Sequence, residues 1–345
     1  MSAAKRRSRV FKSLLCSAAG ISLLLGANAT LAKPKEEVTV ALQYGIHYLP
    51  LLLIRHDHLI EKRAKALGVK DVHVRFVTLS GGAALNDALL SGSVDIAASG
   101  VPPMIRLWAA TRKTQNPVRA IVGNSTMPNV LVTTDPKVKT IKDFGKADRI
   151  AVPAVKISLQ AITLEMAAAR AWGEKDYTRL DPLTVSMKHP DAMVALISGH
   201  GGIDSHFGQS PFTEEEIQRA HAHVVLSTFS VLGGPATADV LETSTRFKKE
   251  HPRLFKAVLE AQEQAIHSIN RNKSAAARIY LEESKSKFPL ALVEKILDES
   301  KKPYAAAPER MMDYARFMHK VGDIKVLPHS WKDMFFSPIY NMHGS

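Results

Sequence analysis

Cysteine is almost missing from these 345 residues, with Cys16 standing alone. It falls in a leading stretch that reads as removable, so the rest of the chain holds no thiol. That excludes a disulfide scaffold, cysteine-ligated metals and thiol catalysis. Long apolar runs are also missing: nothing after residue 33 approaches the roughly 20 residues a membrane-spanning helix needs. The common signatures of catalysis do not occur. There is no Gly-x-Ser-x-Gly elbow, no His-Glu-x-x-His, no Walker loop and no Gly-x-Gly-x-x-Gly after a strand. His200-Gly201-Gly202 is like an esterase oxyanion loop, but it has no nucleophile elbow to serve. His56-Asp57-His58 and His221-Ala222-His223 place histidines two apart, a step that shares a face only in a strand. Both pairs read as helix or turn, so no metal site is expected. Acidic residues are the scarcer charge: 33 against 46 basic, a formal +13. Residues 1–32 carry five of the basic side chains and no acid, which leaves 41 against 33, or +8. This surplus suits anionic ligands or an acidic partner surface and does not argue for nucleic acid.

What is present begins with an address. A basic stretch to Lys12 runs into the apolar segment Leu14 to Ala27, and small residues follow at Ala27-Asn28-Ala29 and Thr30-Leu31-Ala32. This three-part layout reads as a secretory signal over residues 1–32, cut after Ala29 or Ala32. Beyond it the length predicts two domains. A weak duplication points the same way: Ala88-Leu89-Leu90-Ser91-Gly92 returns as Ala195-Leu196-Ile197-Ser198-Gly199. Each copy reads as a helix ending at a left-handed glycine cap, followed by a short strand with one Asp, Asp95 or Asp204. Around them strands alternate with helices, as at Val38–Leu42, Val72–Val77, Val130–Thr133 and Arg149–Val152. That alternation predicts an α/β fold with parallel sheets faced by helices. From about residue 245 the pattern turns helical. Met311, Met312, Ala315, Met318 and Val321 form a stripe read as core.

In such sheets ligands bind beyond the carboxyl ends of the strands. The loops there are alike in content: Gln43-Tyr44-Gly45-Ile46-His47, Ser80-Gly81-Gly82, Ser99-Gly100, Asn124-Ser125, Lys156-Ile157-Ser158 and Ser205-His206. Glycines and small hydroxyls let backbone N–H groups approach a ligand, and helix starts favour an anion. Lys156 and His47 would add positive charge. Read structurally, Ser80, Ser125 and Ser158 are helix caps, His47 and His206 are structural donors, and the two aspartates tie down loops.

Taken in order, Gln43-Tyr44-Gly45, Pro50 opening a helix, Ser80-Gly81-Gly82, Leu89 to Asp95, Val155 to Ser158, Ala238 to Leu241 and His251-Pro252 are a family pattern. The pattern covers nearly all of residues 36–285 and resembles the nitrate/sulfonate/taurine-type substrate-binding proteins of bacterial ABC importers. The resemblance implies a type II periplasmic-binding-protein fold, with two lobes, each a mostly parallel sheet flanked by helices, joined by two hinge strands. Lobe one would be 36–125 and 238–345, and lobe two 126–237. It implies a binding protein rather than an enzyme, needing no cofactor and acting in the periplasm as a monomer. The ligand would be a small organic anion such as a sulfonate, a carboxylate or a nitrate-like ion, delivered to a membrane permease. Ligand loops would be Tyr44–His47, Ser80–Gly82 and Ser99-Gly100 from lobe one, with Lys156, Ser158 and the loop at His206 from lobe two. Ile54-Arg55-His56-Asp57-His58 and Ser205-His206-Phe207-Gly208 depart from the family pattern. The same fold resembles pyrimidine synthases of thiamine biosynthesis, which use a pyridoxal cofactor and a cysteine-rich motif that this chain does not carry. A sensory binding subunit would share the pocket and differ in partner.

Overall fold

The computed structural model describes residues 36–345; the leader read at 1–32 lies outside the described residues. Ten strands form two five-stranded sheets. The chain first lays down β1 (Glu36–Leu42), β2 (Val72–Thr78), β3 (Ile96–Gly100) and β4 (Val118–Ser125). It then builds β5 (Asn129–Thr133), β6 (Ile150–Val152), β7 (Thr184–Ser186), β8 (Ser205–Gln209) and β9 (His223–Ser227), and returns as β10 (Asp239–Ser244). The first sheet has the order β2-β1-β3-β10-β4 and the second β7-β6-β8-β5-β9. In each, one strand alone runs against the other four: β10 pairs antiparallel with β3 and β4, and β5 with β8 and β9. Both sheets are therefore mostly parallel and follow one topology, with the antiparallel strand in each borrowed across the chain crossings.

The repeated pentapeptide falls at equivalent places in that topology. Helices along the first half are α1 (Leu49–His56), α2 (Leu59–Ala66), α3 (Gly82–Ser91) and α4 (Val101–Thr111). The second half carries α5 (Leu159–Trp172), α6 (His189–Ser198), α7 (Phe212–Arg219) and α8 (Thr228–Leu232). Helix α3 stops at Gly92 (φ 75°) and α6 at Gly199 (φ 69°), both left-handed caps, a conformation that costs glycine nothing. Each is followed by an aspartate that pins the neighbouring strand: Asp95 accepts the Thr39 N–H at 2.8 Å and Asp204 the Arg149 N–H at 2.7 Å. Leu85 and Leu89 of α3 pack with Ala41, Ala97 and Val118 of the first sheet. Ala192 and Leu196 of α6 pack with Val132 and Ala151 of the second.

The main core lies on the opposite faces. The inner strands β1, β3 and β6 are buried along most of their length, as expected of sheets covered on both sides, whereas the edge strands β2, β7 and β9 are partly exposed. The C-terminal helices α9 (Thr245–Glu250), α10 (Pro252–Arg271), α11 (Lys273–Ser284), α12 (Leu290–Glu299) and α13 (Met311–Lys320) complete it. Helix α10 packs on α1 and α2, burying Leu254, Phe255, Val258, Ala261, Ala265 and Ile269 at helical spacing. Met311, Ala315 and Met318 are buried, so the methionine stripe is core. The chain passes between the sheets twice, at 126–128 and at 228–238, and the Ala238 N–H donates to the Ser125 carbonyl at 2.8 Å where the two passages meet.

Candidate functional site

Where the carboxyl ends of the two sheets face each other lies a small cavity of about 20 Å³. The first half contributes Gln43 after β1, Tyr48 before α1, Gly82, Gly100, Pro103 and Asp239. The second contributes Asn129, Ser158, Leu159, Gln160, His189 and Gln209. Four helices open on this space. Gly82 is the first residue of α3, Gly100 caps α4, Ser158 caps α5 and His189 is the first residue of α6. Only α5 uses a side-chain cap, Ser158 Oγ accepting the Ala161 N–H at 3.3 Å. Helix α3, capped by Gly81, has no proline in its first turn, so its N–H groups face the space, whereas at α4 the Val101 N–H donates to the Ala238 carbonyl at 3.0 Å and Pro102 and Pro103 carry none, and at α6 Pro190 carries none.

The halves are pressed together around it. A Cβ on Gly45 (φ +106°) would stand 2.5 Å from Gln209 Nε2, and one on Gly100 3.2 Å from Leu159 Cβ. One on Gly81 would stand 3.3 Å from the Pro153 carbonyl oxygen. Gln209 Nε2 donates to the Tyr44 carbonyl, and the Ile46 N–H donates to the Ser210 carbonyl at 3.1 Å. Small residues at these three loops are what allow so close an approach. A second chamber of about 450 Å³ adjoins, also lined by Gln43, together with Tyr44 and Gly45.

Two buried polar chains back the cavity. On the first side Asp239 accepts from the Tyr48 hydroxyl at 2.9 Å and pairs with His47 Nδ1 at 3.0 Å. Burial, and then the Asp239 charge, push the Tyr48 hydroxyl well above its ordinary range, so it stays a donor. The loop is fixed from behind: Asn124 Nδ2 donates to the His47 carbonyl at 2.8 Å, and Gln262 Nε2 donates to Asn124 Oδ1 at 2.9 Å. On the second side His206 Nδ1 lies 2.6 Å from Glu216 Oε1, and its Nε2 lies 2.8 Å from His189 Nδ1. Burial, followed by the two histidines His206 and His47, pushes His189 well below its ordinary range, so its imidazole is neutral. Gln160 Nε2 sits 2.9 Å from Asn129 Oδ1 and 3.4 Å from His189 Nε2. With Gln160 as donor, His189 carries its proton on Nδ1 and gives it to His206, which gives its own to Glu216.

Of the residues singled out from sequence, Gln43, Gly82, Gly100 and Ser158 line the small cavity. Tyr44 and Gly45 line the adjoining chamber. His47 and His206 lie one layer back, fully buried in the bonds just described. Gly81 is buried against Pro153. Four do not reach the space. Ser99 donates its buried hydroxyl to Glu242; Ser125 Oγ accepts the Met127 N–H at 3.1 Å; Ser80 is exposed. Lys156 departs furthest: its backbone is left-handed (φ 61°), its side chain is 67% exposed, and Nζ lies 3.9 Å from Asp181. No lysine or arginine lines the small cavity among the described residues. Sequence reading did not single out Tyr48, Asn129, Gln160, His189, Gln209 or Asp239 as ligand residues. His189-Pro190 carries a usable signal, a proline opening a helix after a strand as at Leu49-Pro50. Gln160 lies inside α5 and has no local mark.

Among the described residues no cluster of three histidine, cysteine or acidic groups is placed to hold a metal, and no helix is long and apolar enough to cross a membrane. Residues 31–281 match the sequence model of the NMT1-like family. No curated protein matches the sequence. Among solved structures the fold is similar to the alkanesulfonate-binding protein SsuA from Xanthomonas axonopodis pv. citri bound to MOPS, with TM-score 0.66 and 19% identity over 86% of this chain and 96% of that one. It is similar to the periplasmic aliphatic sulphonate-binding protein SsuA from Escherichia coli, with TM-score 0.64 and 17% identity over 88% and 92%. The periplasmic nitrate-binding protein NrtA from Synechocystis PCC 6803 gives TM-score 0.60 and 15% identity over 75% and 69%. At these identities the likeness is one of fold, that of the periplasmic binding proteins.

Proposed function

Because this chain belongs to the NMT1-like family, we propose that it is the extracytoplasmic solute-binding component of an ABC importer, which holds a small organic anion between its halves and delivers it to a membrane permease. The observation that carries this reading is the convergence of four helix N-termini on one space shared by both sheets, α3 and α5 with first-turn N–H groups and α4 and α6, which open with prolines, chiefly with their dipoles. Each helix start favours a nearby negative charge by about 0.3–1 kcal/mol, and more when partly buried. Amide and hydroxyl groups of Gln43, Gln209 and Ser158 supply neutral donors beside them, while the two hydrogens of the Gln160 amide are given to Asn129 and His189. Asp239, the one carboxylate on the wall, is already engaged by His47 and Tyr48. An anion here is held by dipoles and hydrogen bonds rather than by a countercharge, and both halves must be in place to make the full set. The ligand therefore favours the closed arrangement by its differential contacts.

In this reading 36–125 with 238–345 and 126–237 are the two lobes, and the passages near 126 and 238 are the hinge. The basic–apolar–small leader directs export to the periplasm, where the chain works as a monomer and leaves its ligand unchanged. Calorimetric titration with short sulfonates, carboxylates and nitrate should give saturable binding of at least one of them at one site per chain. Binding confined to neutral sugars, or chemical conversion of the bound acid, would overturn the reading.

A further inference from the structure

A second seam between the halves lies away from the cavity. Helix α5 belongs to the second half, yet it packs against α4 and α13 of the first. Glu165 sits on α5 seven residues beyond Ser158, about 10 Å along the axis. It is 5% exposed, and no hydrogen bond relieves its burial. The charges that face it come from both halves: Arg106 on α4 and Asp323 after α13 from the first, Lys156 and Asp181 from the second. Tyr177 faces it too, edge-on to Phe317 of α13 at 6.2 Å, its hydroxyl raised by burial and then by Glu165 and so neutral. From α13 come the Tyr314 hydroxyl, bonded to Thr163 at 3.1 Å, and Lys320, which pairs with Glu174 at the surface. Helix α8 carries no titratable group, and the turn Ile141–Asp143 leaves Lys142 and Asp143 exposed. Arg106 ties the seam: Nη2 donates to Asp323 and, at 2.9 Å, to the Lys156 carbonyl of the other half. The Lys156 amine is mostly in water, 3.9 Å from Asp181. Three carboxylates thus meet one part-buried guanidinium and one solvated amine.

The imbalance shows in the bonding. Arg106 Nε, Asp181 Oδ2 and Asp323 Oδ2 are buried without a hydrogen-bond partner, three of the eight such side-chain atoms among the described residues. A positive charge is wanted, and no three acidic or histidine groups among the described residues are placed to hold a metal. A proton needs no such set. We propose that closing the halves takes up one proton on Glu165, so that protons favour ligand capture from a site apart from the ligand. This rests on the closure of two halves in the reading above. Parting them draws Arg106 and Asp323 away from α5 and admits water to Glu165. Burial, and then Asp181 and Asp323, push this carboxyl up to about 8 while the halves are together; in water it returns toward 4.5. Between those values the closed form holds a proton that the open form has released. By reciprocity, whatever closes the halves takes up that proton, and rising pH opposes closure.

Calorimetric titration with methanesulfonate in phosphate and in Tris at pH 7 counts the protons, since the two buffers differ in heat of ionisation. Close to one proton should be taken up per acid bound, and affinity should weaken about fivefold from pH 7 to pH 8. That window lies above the range in which His189 titrates, and Glu242 sits between β3 and β10 of one half, where closure does not reach it. Glu165→Gln, uncharged throughout, should abolish the uptake and hold one affinity at both pH values. Methanesulfonate bound with no uptake, or uptake that survives in Glu165→Gln, would overturn the proposal and leave the anion reading standing. If neither methanesulfonate, acetate nor nitrate binds, small-angle scattering of the ligand-free protein decides. Contraction as pH falls from 8.5 to 6.5, absent in Glu165→Gln, would support the proton switch while the anion reading falls. A radius indifferent to pH would remove both.

Discussion

At Gly45 two constraints coincide. Its φ of +106° is strained for any side-chain-bearing residue, and a Cβ would meet Gln209 Nε2 at 2.5 Å, across the line where the halves meet. Gly45→Ala should therefore cost about 1–3 kcal/mol of stability and, by holding the halves apart, weaken ligand binding at least tenfold. Urea unfolding and calorimetry on one preparation separate the two effects. Lys156→Ala is the matching control. Its amine is exposed beside Asp181, so affinity should stay within about twofold. Lysine next to a serine at a helix start suggests an anion contact when read as sequence, but the left-handed turn at Lys156 points the side chain elsewhere, and no pattern in the neighbouring residues announces that turn. Gln43, Gly82, Gly100 and Ser158 were legible because a ligand loop after a parallel strand has a recognisable composition. Gln160, Asn129 and Gln209 were not, since each is an ordinary polar residue whose role depends on what the opposite sheet brings to it.

Among the elements, helix starts carry the site. Helix α5 is the one of the four opened by a capping side chain, and Ser158 both caps it and lines the cavity. Ser158→Ala should lower stability by about 1 kcal/mol, as for caps generally, and weaken binding severalfold by removing a donor. Ser158→Thr should restore the stability. The strand–helix alternation and the paired Leu-Leu-Ser-Gly and Leu-Ile-Ser-Gly helices were readable because glycine caps and apolar periodicity are local signals. The antiparallel strand in each sheet was not, because nothing within β5 or β10 states the direction of its neighbours. Of the two aspartates after the repeats, expected to tie down their own loops, Asp95 fastens β1, while Asp204 accepts from the adjacent Ser205 hydroxyl and from the N–H of Arg149, which leads into β6.

For the whole molecule, buried acids set how stability depends on pH. Burial, with Asp181 and Asp323 nearby, pushes Glu165 up to about 8, and burial pushes Glu242 to about 7 against the bond from Ser99. Between the unfolded value near 4.5 and these raised values, the folded state holds protons that the unfolded chain has released. Stability from these two groups therefore falls as pH rises through that window. His189 acts in the opposite sense, since its depressed value costs stability as pH falls below about 6.5. Above 6.5 His189 no longer opposes the raised acids, so the melting temperature should decline from pH 6.5 to 8. Glu165→Gln should flatten that decline in calorimetric scans, and an unchanged slope would show that Glu165 is ionised in the folded protein.

The central claim is that two like halves close on an organic acid through helix starts and neutral donors, without a countercharge. The most direct test is small-angle scattering of the exported protein during titration with methanesulfonate at rising salt. The account predicts a decrease in radius of gyration that saturates at one acid per chain and changes little with salt. A radius that does not respond to any acid that calorimetry shows to bind, or affinity that collapses with salt as for an exposed ion pair, would contradict it.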